Sequence, residues 1–195
     1  MAPIDTPEAP LKSSAAPENH DRSMGQLVVD VALRVLLFAT ALVAVIIMVT
    51  SKQTKMIPVA PGLVVPLDAK FDHSPAFIYF VAALSVACLY SIITSVLSVF
   101  ALMRGGSSTK MQFHFVMFDA LLLGIVAAAT GAAGGVAYIG LKGNSHTRWN
   151  KICNTYGSFC FHFASSILLS LVSSITLLLL VWLSIYVLSK KIARR

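Results

Sequence analysis

Four long apolar runs dominate the pattern of hydrophobic and polar positions, at about residues 27–50, 76–103, 114–140 and 161–188. Each run reaches the ~20 residues that a helix needs to cross a hydrocarbon core of ~30 Å. The runs should be helical, because lipid offers no partner for an unpaired backbone N–H or C=O group. The pattern therefore predicts an all-α protein, in which residues 25–190 form a bundle of four transmembrane helices.

The polar segments at the two ends are predicted to be tails on the same side of the membrane. Residues 1–24 are rich in proline, alanine, serine and charge, and they cannot bury enough apolar surface to offset the entropy of ordering. We therefore expect a disordered tail there and a short basic tail at residues 191–195. The two tails and the loop at 104–112 carry eight Lys and Arg residues against six in the other two loops, which favours cytoplasmic termini.

Composition excludes two broad classes of protein. The chain has 195 residues, of which 57% are hydrophobic and 12% are charged, and its mean hydropathy is +0.81. A soluble domain carries about 25% charged residues, so these values indicate a membrane protein. The net charge of +7 is spread over loops and the C-terminus without a basic stripe interleaved with aromatic residues, so nucleic acid is not an expected partner.

Two cysteines lie close together in the loop between the third and fourth runs. If Cys153 and Cys160 are bridged, loop-closure entropy predicts a stabilisation of roughly 2.5 kcal/mol. A disulfide persists only on an oxidising face, which again favours cytoplasmic termini; the alternative is two free thiols. His146 and His162 do not complete a four-ligand zinc pattern, and we expect neither a metal nor a cofactor.

Charged residues occur inside two of the apolar runs. Arg34 in the first helix and Asp119 in the third should lie roughly 10 Å into the same leaflet, because both helices start from the same side. At equal depth they can form an intramembrane ion pair that ties the two helices together. Asp30 is an alternative partner, four residues before Arg34 on the same helix face. In a third interpretation Arg34 reaches the headgroups and Asp119 is protonated.

The third run also contains small residues at helical spacing, namely Gly124, Ala128, Gly131 and Gly135, with Ala132 beside them. Small residues let helix backbones approach closely in lipid, where packing replaces the hydrophobic effect. We therefore interpret the third helix as the central packing helix of the bundle and as a surface for association. The serines of the fourth helix (Ser165, Ser166, Ser170, Ser173 and Ser174) can bond across helices or to their own backbone carbonyls.

No pattern of catalytic residues accompanies these features. The sequence has no P-loop, HExxH or CxxC motif and no Ser-His-Asp arrangement, so an enzyme is not expected. The outer halves of the four helices lack acidic and basic residues, whereas a proton or ion path usually needs a chain of polar groups. A small channel or transporter gated by the charged pair, or a regulatory subunit of another membrane protein, remain the alternative functions.

The sequence resembles the Casparian strip membrane protein-like (CASP-like) family of plants, distant relatives of the MARVEL four-helix proteins. The resemblance covers about residues 25–190 and is carried by LRVLLFATALVAVIIMVTSKQT, by FDALLLGIVAAATGAAGGVAYIG and by the outer-loop string from Trp149 to Cys160. It places Arg34 and Asp119 at the family's helix-one Arg and helix-three Asp positions. It implies a multi-pass plasma-membrane protein with cytoplasmic termini that forms homo-oligomers and hetero-oligomers with related members.

The resemblance also implies a function. Family members that build the Casparian strip are scaffolds, which form immobile membrane domains and recruit secreted wall-modifying enzymes. Those members carry a short aromatic signature in the first outer loop, and residues 51–76 contain no recognisable counterpart. We therefore expect a non-enzymatic scaffold of a plasma-membrane domain linked to the cell wall. The Casparian strip and another membrane domain are the two alternatives, and the missing signature argues against the strip.

Overall fold

The computed structural model describes residues 16–60, 63–70, 72, 74–103, 109–146, 151–154 and 156–193, with most side chains described from residue 25 onward. It contains four long helices: α1 (Ala16–Thr50), α2 (Pro75–Met103), α3 (Thr109–Lys142) and α4 (Gly157–Ile192). Each holds a segment long and apolar enough to cross a membrane. The predicted all-α bundle of four transmembrane helices is confirmed.

The four helices form a closed ring around a shared core. Each helix packs against its neighbour in sequence, α4 also packs against α1, and α1 and α3 lie diagonally opposite. The fully buried apolar side chains include Leu37, Met48, Phe80, Leu84, Val126, Leu177 and Leu180. Many large apolar side chains instead lie on the outside, as expected when the surrounding solvent is lipid.

Helix α1 begins at Ala16, well before the predicted start at residue 27. Part of the segment that we expected to be a disordered tail is therefore helical, whereas residues 1–15 lie outside the described residues. Pro17 is in the first turn, where its missing N–H removes no intrahelical hydrogen bond. No proline or glycine follows until Gly25, so nothing in the backbone stops the membrane helix from extending in this direction.

The loop between α1 and α2 contains a β-hairpin, for which the sequence analysis made no prediction. Strand β1 (Lys52–Ala60) pairs antiparallel with β2 (Leu63–Lys70), in a register that places Lys52 opposite Lys70. Valine and isoleucine favour strands, and the Pro-Gly dipeptide at positions 61 and 62 is a strong turn signal. Each strand has a free edge, so a proline within it need not remove a ladder hydrogen bond.

The hairpin and the loop between α3 and α4 are tied to the same end of the bundle. A disulfide joins Cys153 to Cys160, so the bridged alternative is the one that the structure contains. The Phe159 N–H donates a hydrogen bond of 3.1 Å to Gln53 Oε1 on β1. Below the loops, the rings of Phe77 and Phe163 are 4.4 Å apart and join α2 to α4. The end of the bundle opposite the termini is therefore braced by covalent, polar and aromatic contacts.

Candidate functional site

Arg34 lies between two carboxylates in the half of the bundle nearest the termini. Its Nη2 is 3.4 Å from Asp119 Oδ2 across the core, and its Nε is 3.0 Å from Asp30 Oδ2 on the same helix. The two residues that we considered as alternative partners therefore both contact Arg34. The Arg34 side chain is 1% exposed and that of Asp119 is 0% exposed, so this contact lies inside the bundle. Asp30 is one turn before Arg34, which aligns the two side chains.

Helix α2 completes this arrangement from the other side. Tyr90 donates a hydrogen bond of 2.7 Å to Asp119 Oδ1, and Ser98 Oγ donates one of 3.1 Å to Asp30 Oδ2. The Arg34 guanidinium also lies over the ring of Phe115 on α3, with Cζ 5.4 Å from the ring centroid. We call the set Arg34, Asp30, Asp119, Tyr90 and Ser98 the charge network. It connects α1, α2 and α3, including the diagonal pair α1 and α3.

Tyr90 and Ser98 were missed by the sequence analysis, although a signal was present. Tyr90, Thr94 and Ser98 follow one another at a spacing of four within an apolar run, which places three hydroxyl groups on one face of α2. A polar stripe inside a membrane helix calls for partners on a neighbouring helix. The sequence, however, could not say which of the other three helices that face would meet.

A second set of polar contacts runs along α4. Ser166 Oγ donates to the Ala44 backbone carbonyl at 2.8 Å, and Ser173 Oγ is 2.8 Å from Thr40 Oγ1, so both reach α1. The Ser170 hydroxyl meets that of Thr130 on α3. We call Ser166, Ser170, Ser173, Thr40 and Thr130 the hydroxyl ladder.

The other two serines singled out in the sequence, Ser165 and Ser174, bond within their own helix. Ser165 Oγ donates to the Phe161 carbonyl, and Ser174 Oγ donates to the Ser170 carbonyl. Both behaviours that the sequence allowed are therefore present, and Ser173 Oγ lies within hydrogen-bond distance of both kinds of partner.

The small residues of α3 were expected to pack this helix inside its own bundle, and the structure differs from that expectation. Gly124, Ala128, Gly131 and Gly135 are exposed, and a Cβ built on any of the three glycines meets no atom within 4 Å. They therefore do not pack α3 against the other helices of its own bundle. The reason is helical spacing: Asp119 must face the core, and the residues that share its side are Leu122, Val126, Ala129 and Ala133. The four small residues fall on the opposite side, which we call the small-residue face.

The remaining predicted positions are placed as follows. Cys88 is buried in α2, consistent with a small apolar filler. Trp149 lies outside the described residues. Within the described part of the chain, no cluster of three or more His, Cys, Asp or Glu residues could hold a metal ion. Most of the buried polar side chains named above bond to one another, although Arg34 Nη1 is buried without a hydrogen-bond partner among the described residues.

Comparison with known proteins identifies the family. The model of the Casparian strip membrane protein domain matches residues 23–176 of the chain. The chain belongs to this family. A CASP-like protein 1D1 of Populus trichocarpa is 52% identical over the whole of both chains. A CASP-like protein 1D1 of Vitis vinifera is 54% identical over 87% of this chain and 82% of its own length. A CASP-like protein 1 of Panax ginseng is 60% identical over 75% of this chain and its own full length.

No solved structure matches the chain. The residues that match the family model form most of the bundle, and they include the whole charge network and the small-residue face. The family's relatives are plant proteins, and the four spanning helices make this chain a multi-pass membrane protein.

Proposed function

We propose that this protein is a self-associating, non-enzymatic scaffold of a plasma-membrane domain at the plant cell wall. The observation that carries the proposal is the small-residue face of α3, which is exposed on the outside of a closed bundle. Close approach of backbones is the main source of helix association in lipid, and residues without bulky side chains allow it. A second copy, or a related family member, would pack there.

The charge network and the hydroxyl ladder support the same function. An assembly surface is useful only if its shape is constant, and polar contacts inside the bundle hold α3 against α1, α2 and α4. These contacts set the rotation of α3 about its axis, because Asp119 faces inward and the glycines therefore face outward. The buried pair acts in this proposal as a positioning device for the association surface.

We also propose that the termini are cytoplasmic and that the hairpin and the disulfide loop face the wall. A disulfide persists on an oxidising face, and the basic C-terminal residues suit the cytoplasmic side. Secreted wall-modifying enzymes would then meet the braced outer end of the bundle. Labelling of intact protoplasts tests this orientation: an epitope inserted at the hairpin turn should be accessible to antibody, and a C-terminal epitope should not.

Fluorescence recovery after photobleaching in intact plant cells tests the scaffold itself. A C-terminally tagged protein should form patches with slow or absent recovery, since assembled copies diffuse poorly. Fast and uniform recovery would contradict the immobile platform and would favour a mobile subunit or a transporter. Flux that disappears in Asp119→Asn at preserved surface expression would favour the transporter, and stoichiometric purification with one partner would favour the subunit.

A matched pair of variants tests the surface that carries the proposal. Ala128→Leu places a bulky side chain on the small-residue face, and Ala82→Leu makes the same change at an exposed position of α2. We expect Ala128→Leu to abolish the patches and speed recovery, because two helices can no longer approach closely, whereas Ala82→Leu should behave like the unmodified protein. Equal behaviour of the two variants would exclude this face as the site of association.

A further inference from the structure

An apolar groove of about 430 Å³ runs between α1 and α4, on the half of the bundle that holds the termini. It is lined by Val29, Leu33, Leu179, Trp182, Leu183 and Tyr186. The groove opens outward, since the Trp182 side chain is 75% exposed. From Leu179 to Tyr186 the groove follows α4 for about 10 Å, at 1.5 Å per residue. This length fits within the hydrocarbon part of one leaflet, which is about 15 Å thick.

The end of this groove nearest the termini is positively charged. Lys190 lies one turn beyond Tyr186, and its Nζ is 5.9 Å from the centroid of that ring. Lys191, Arg194 and Arg195 follow in the sequence KKIARR, which contains no acidic residue. On the neighbouring helix, the carboxylate of Asp30 is bonded to Arg34 and Ser98. The surface therefore combines an apolar trough, an aromatic belt and the ammonium group of Lys190, in that order.

An apolar, an aromatic and a cationic region in this order match the parts of an anionic phospholipid. A phospholipid acyl chain fills an apolar trough, Trp and Tyr rings prefer the interface, and an anionic headgroup is attracted to Lys and Arg near the membrane surface. A second copy of this chain fits poorly, because a two-fold contact through this face would bring the two basic ends together. We propose that the α1–α4 groove is a binding site for an anionic phospholipid of the leaflet that holds the termini, with its headgroup at Lys190.

The chain offers a built-in reporter for this site. It contains two tryptophans, so Trp149→Phe leaves Trp182 in the groove as the single fluorophore. The full-length protein is reconstituted in phosphatidylcholine vesicles that contain a minor fraction of phosphatidylserine. Bromines, which quench tryptophan, are carried on the acyl chains of the phosphatidylserine or of an equal fraction of the phosphatidylcholine. We expect brominated phosphatidylserine to be enriched about fivefold near Trp182, the factor corresponding to the attraction of a single surface cation.

Two controls separate a site from general attraction to a basic surface. Phe118 is exposed on α3 in the same leaflet, so Phe118→Trp in a background without Trp149 and Trp182 reports on lipid away from the groove. Lys190→Gln with Lys191→Gln should remove the enrichment at Trp182, whereas Lys52→Gln with Lys55→Gln, at the opposite end of the bundle, should leave it unchanged. Val29→Phe should lower the enrichment of phosphatidylserine near Trp182, because the larger side chain fills the trough.

Three results would overturn the proposal. Equal quenching by the two brominated lipids would exclude selectivity for an anionic headgroup. Equal enrichment at position 118 would mean that the basic surface attracts lipid without a groove site. Protection of Trp182 from both lipids would mean that another protein surface, such as a second copy, covers the groove. None of these results depends on whether the small-residue face of α3 mediates self-association.

Discussion

The charge network and the hydroxyl ladder are both buried and polar, yet their side chains differ in what they can do without a partner. A serine in a membrane helix can turn its hydroxyl to a carbonyl of its own helix, as Ser173 Oγ also does toward Leu169 at 3.1 Å. A guanidinium or a carboxylate that loses its partner has no equivalent alternative, because neither the lipid nor the apolar core solvates a charge. We therefore expect the ladder to tolerate the loss of a member better than the network does.

This difference assigns the two regions different roles. The ladder joins α4 to α1 and α3 through several weak contacts, each worth about 0.6 kcal/mol in membrane proteins. The charge network contributes one strict requirement, that Arg34 and Asp119 meet across the diagonal of the bundle. Buried ion pairs are weak evidence for stability but strongly disfavour arrangements that leave a charge unpaired. The network thus selects the arrangement of helices, and the ladder stabilises it.

The largest effect should follow removal of the cation that two carboxylates share. Arg34→Gln leaves Asp30 and Asp119 without a counter-charge, and we expect it to lower the free energy of unfolding by about 3–5 kcal/mol. Asp119→Asn should cost less, because Arg34 keeps Asp30 and the new amide oxygen can still accept from Tyr90. Unfolding titrations of the purified variants in mixed micelles measure both values. Equal losses would show that Asp30 contributes nothing to the pairing.

Exchange of the charges sharpens the same point. Arg34→Asp with Asp119→Arg would restore a simple pair, but here it places a carboxylate at position 34 beside Asp30. We expect the double variant to remain unstable and the addition of Asp30→Asn to recover part of the loss, since like charges one turn apart repel. Full recovery in the double variant alone would contradict a network of three charges.

A smaller effect should follow loss of the hydroxyl that α2 contributes. Tyr90→Phe removes the 2.7 Å hydrogen bond to Asp119 Oδ1, and a bond to a charged acceptor is worth about 1.5–3 kcal/mol. Tyr79→Phe is the matched control on the same helix, because its hydroxyl is 3.4 Å from the Ile125 carbonyl at an exposed position. The control should change the free energy of unfolding by less than about 0.5 kcal/mol. Similar losses in the two variants would remove Tyr90 from the network.

Sequence reasoning located the helices and the charges because both depend on local properties. Apolar runs of spanning length have few structural solutions in lipid, so the four helices followed directly. Arg34 and Asp119 were placed at equal depth by counting residues from the helix ends, and the structure has them 3.4 Å apart. The depth of a residue in the membrane follows from the number of residues between it and the end of its helix, so the sequence alone predicts it.

The rotation of each helix about its axis, and the helices that it contacts, could not be predicted in this way. The glycines of α3 suggested packing inside the bundle, but Asp119 and Val126 define the buried face and leave Gly131 outside. Composition alone does not say which of two good faces turns inward. Tyr90 was missed for a similar reason, since its partner lies on a helix whose position in the ring the sequence does not give. The β-hairpin could not be predicted from hydropathy, because strands of 9 and 8 residues give no apolar run of spanning length.

The smallest effect should come from the hydroxyl ladder and completes the comparison. Ser173→Ala removes the contact with Thr40 Oγ1, but the Thr40 hydroxyl can then donate to the Leu36 carbonyl, 2.9 Å away, and so keeps a partner. We expect a loss of about 0.6 kcal/mol, and none measurable in Ser174→Ala, which bonds only within α4. A double-mutant cycle with Thr40→Ala should give a coupling energy no larger than the single loss. A loss as large as that of Tyr90→Phe would mean that a hydroxyl pair specifies the bundle as strictly as a charge, and the division between the two polar regions would then fail.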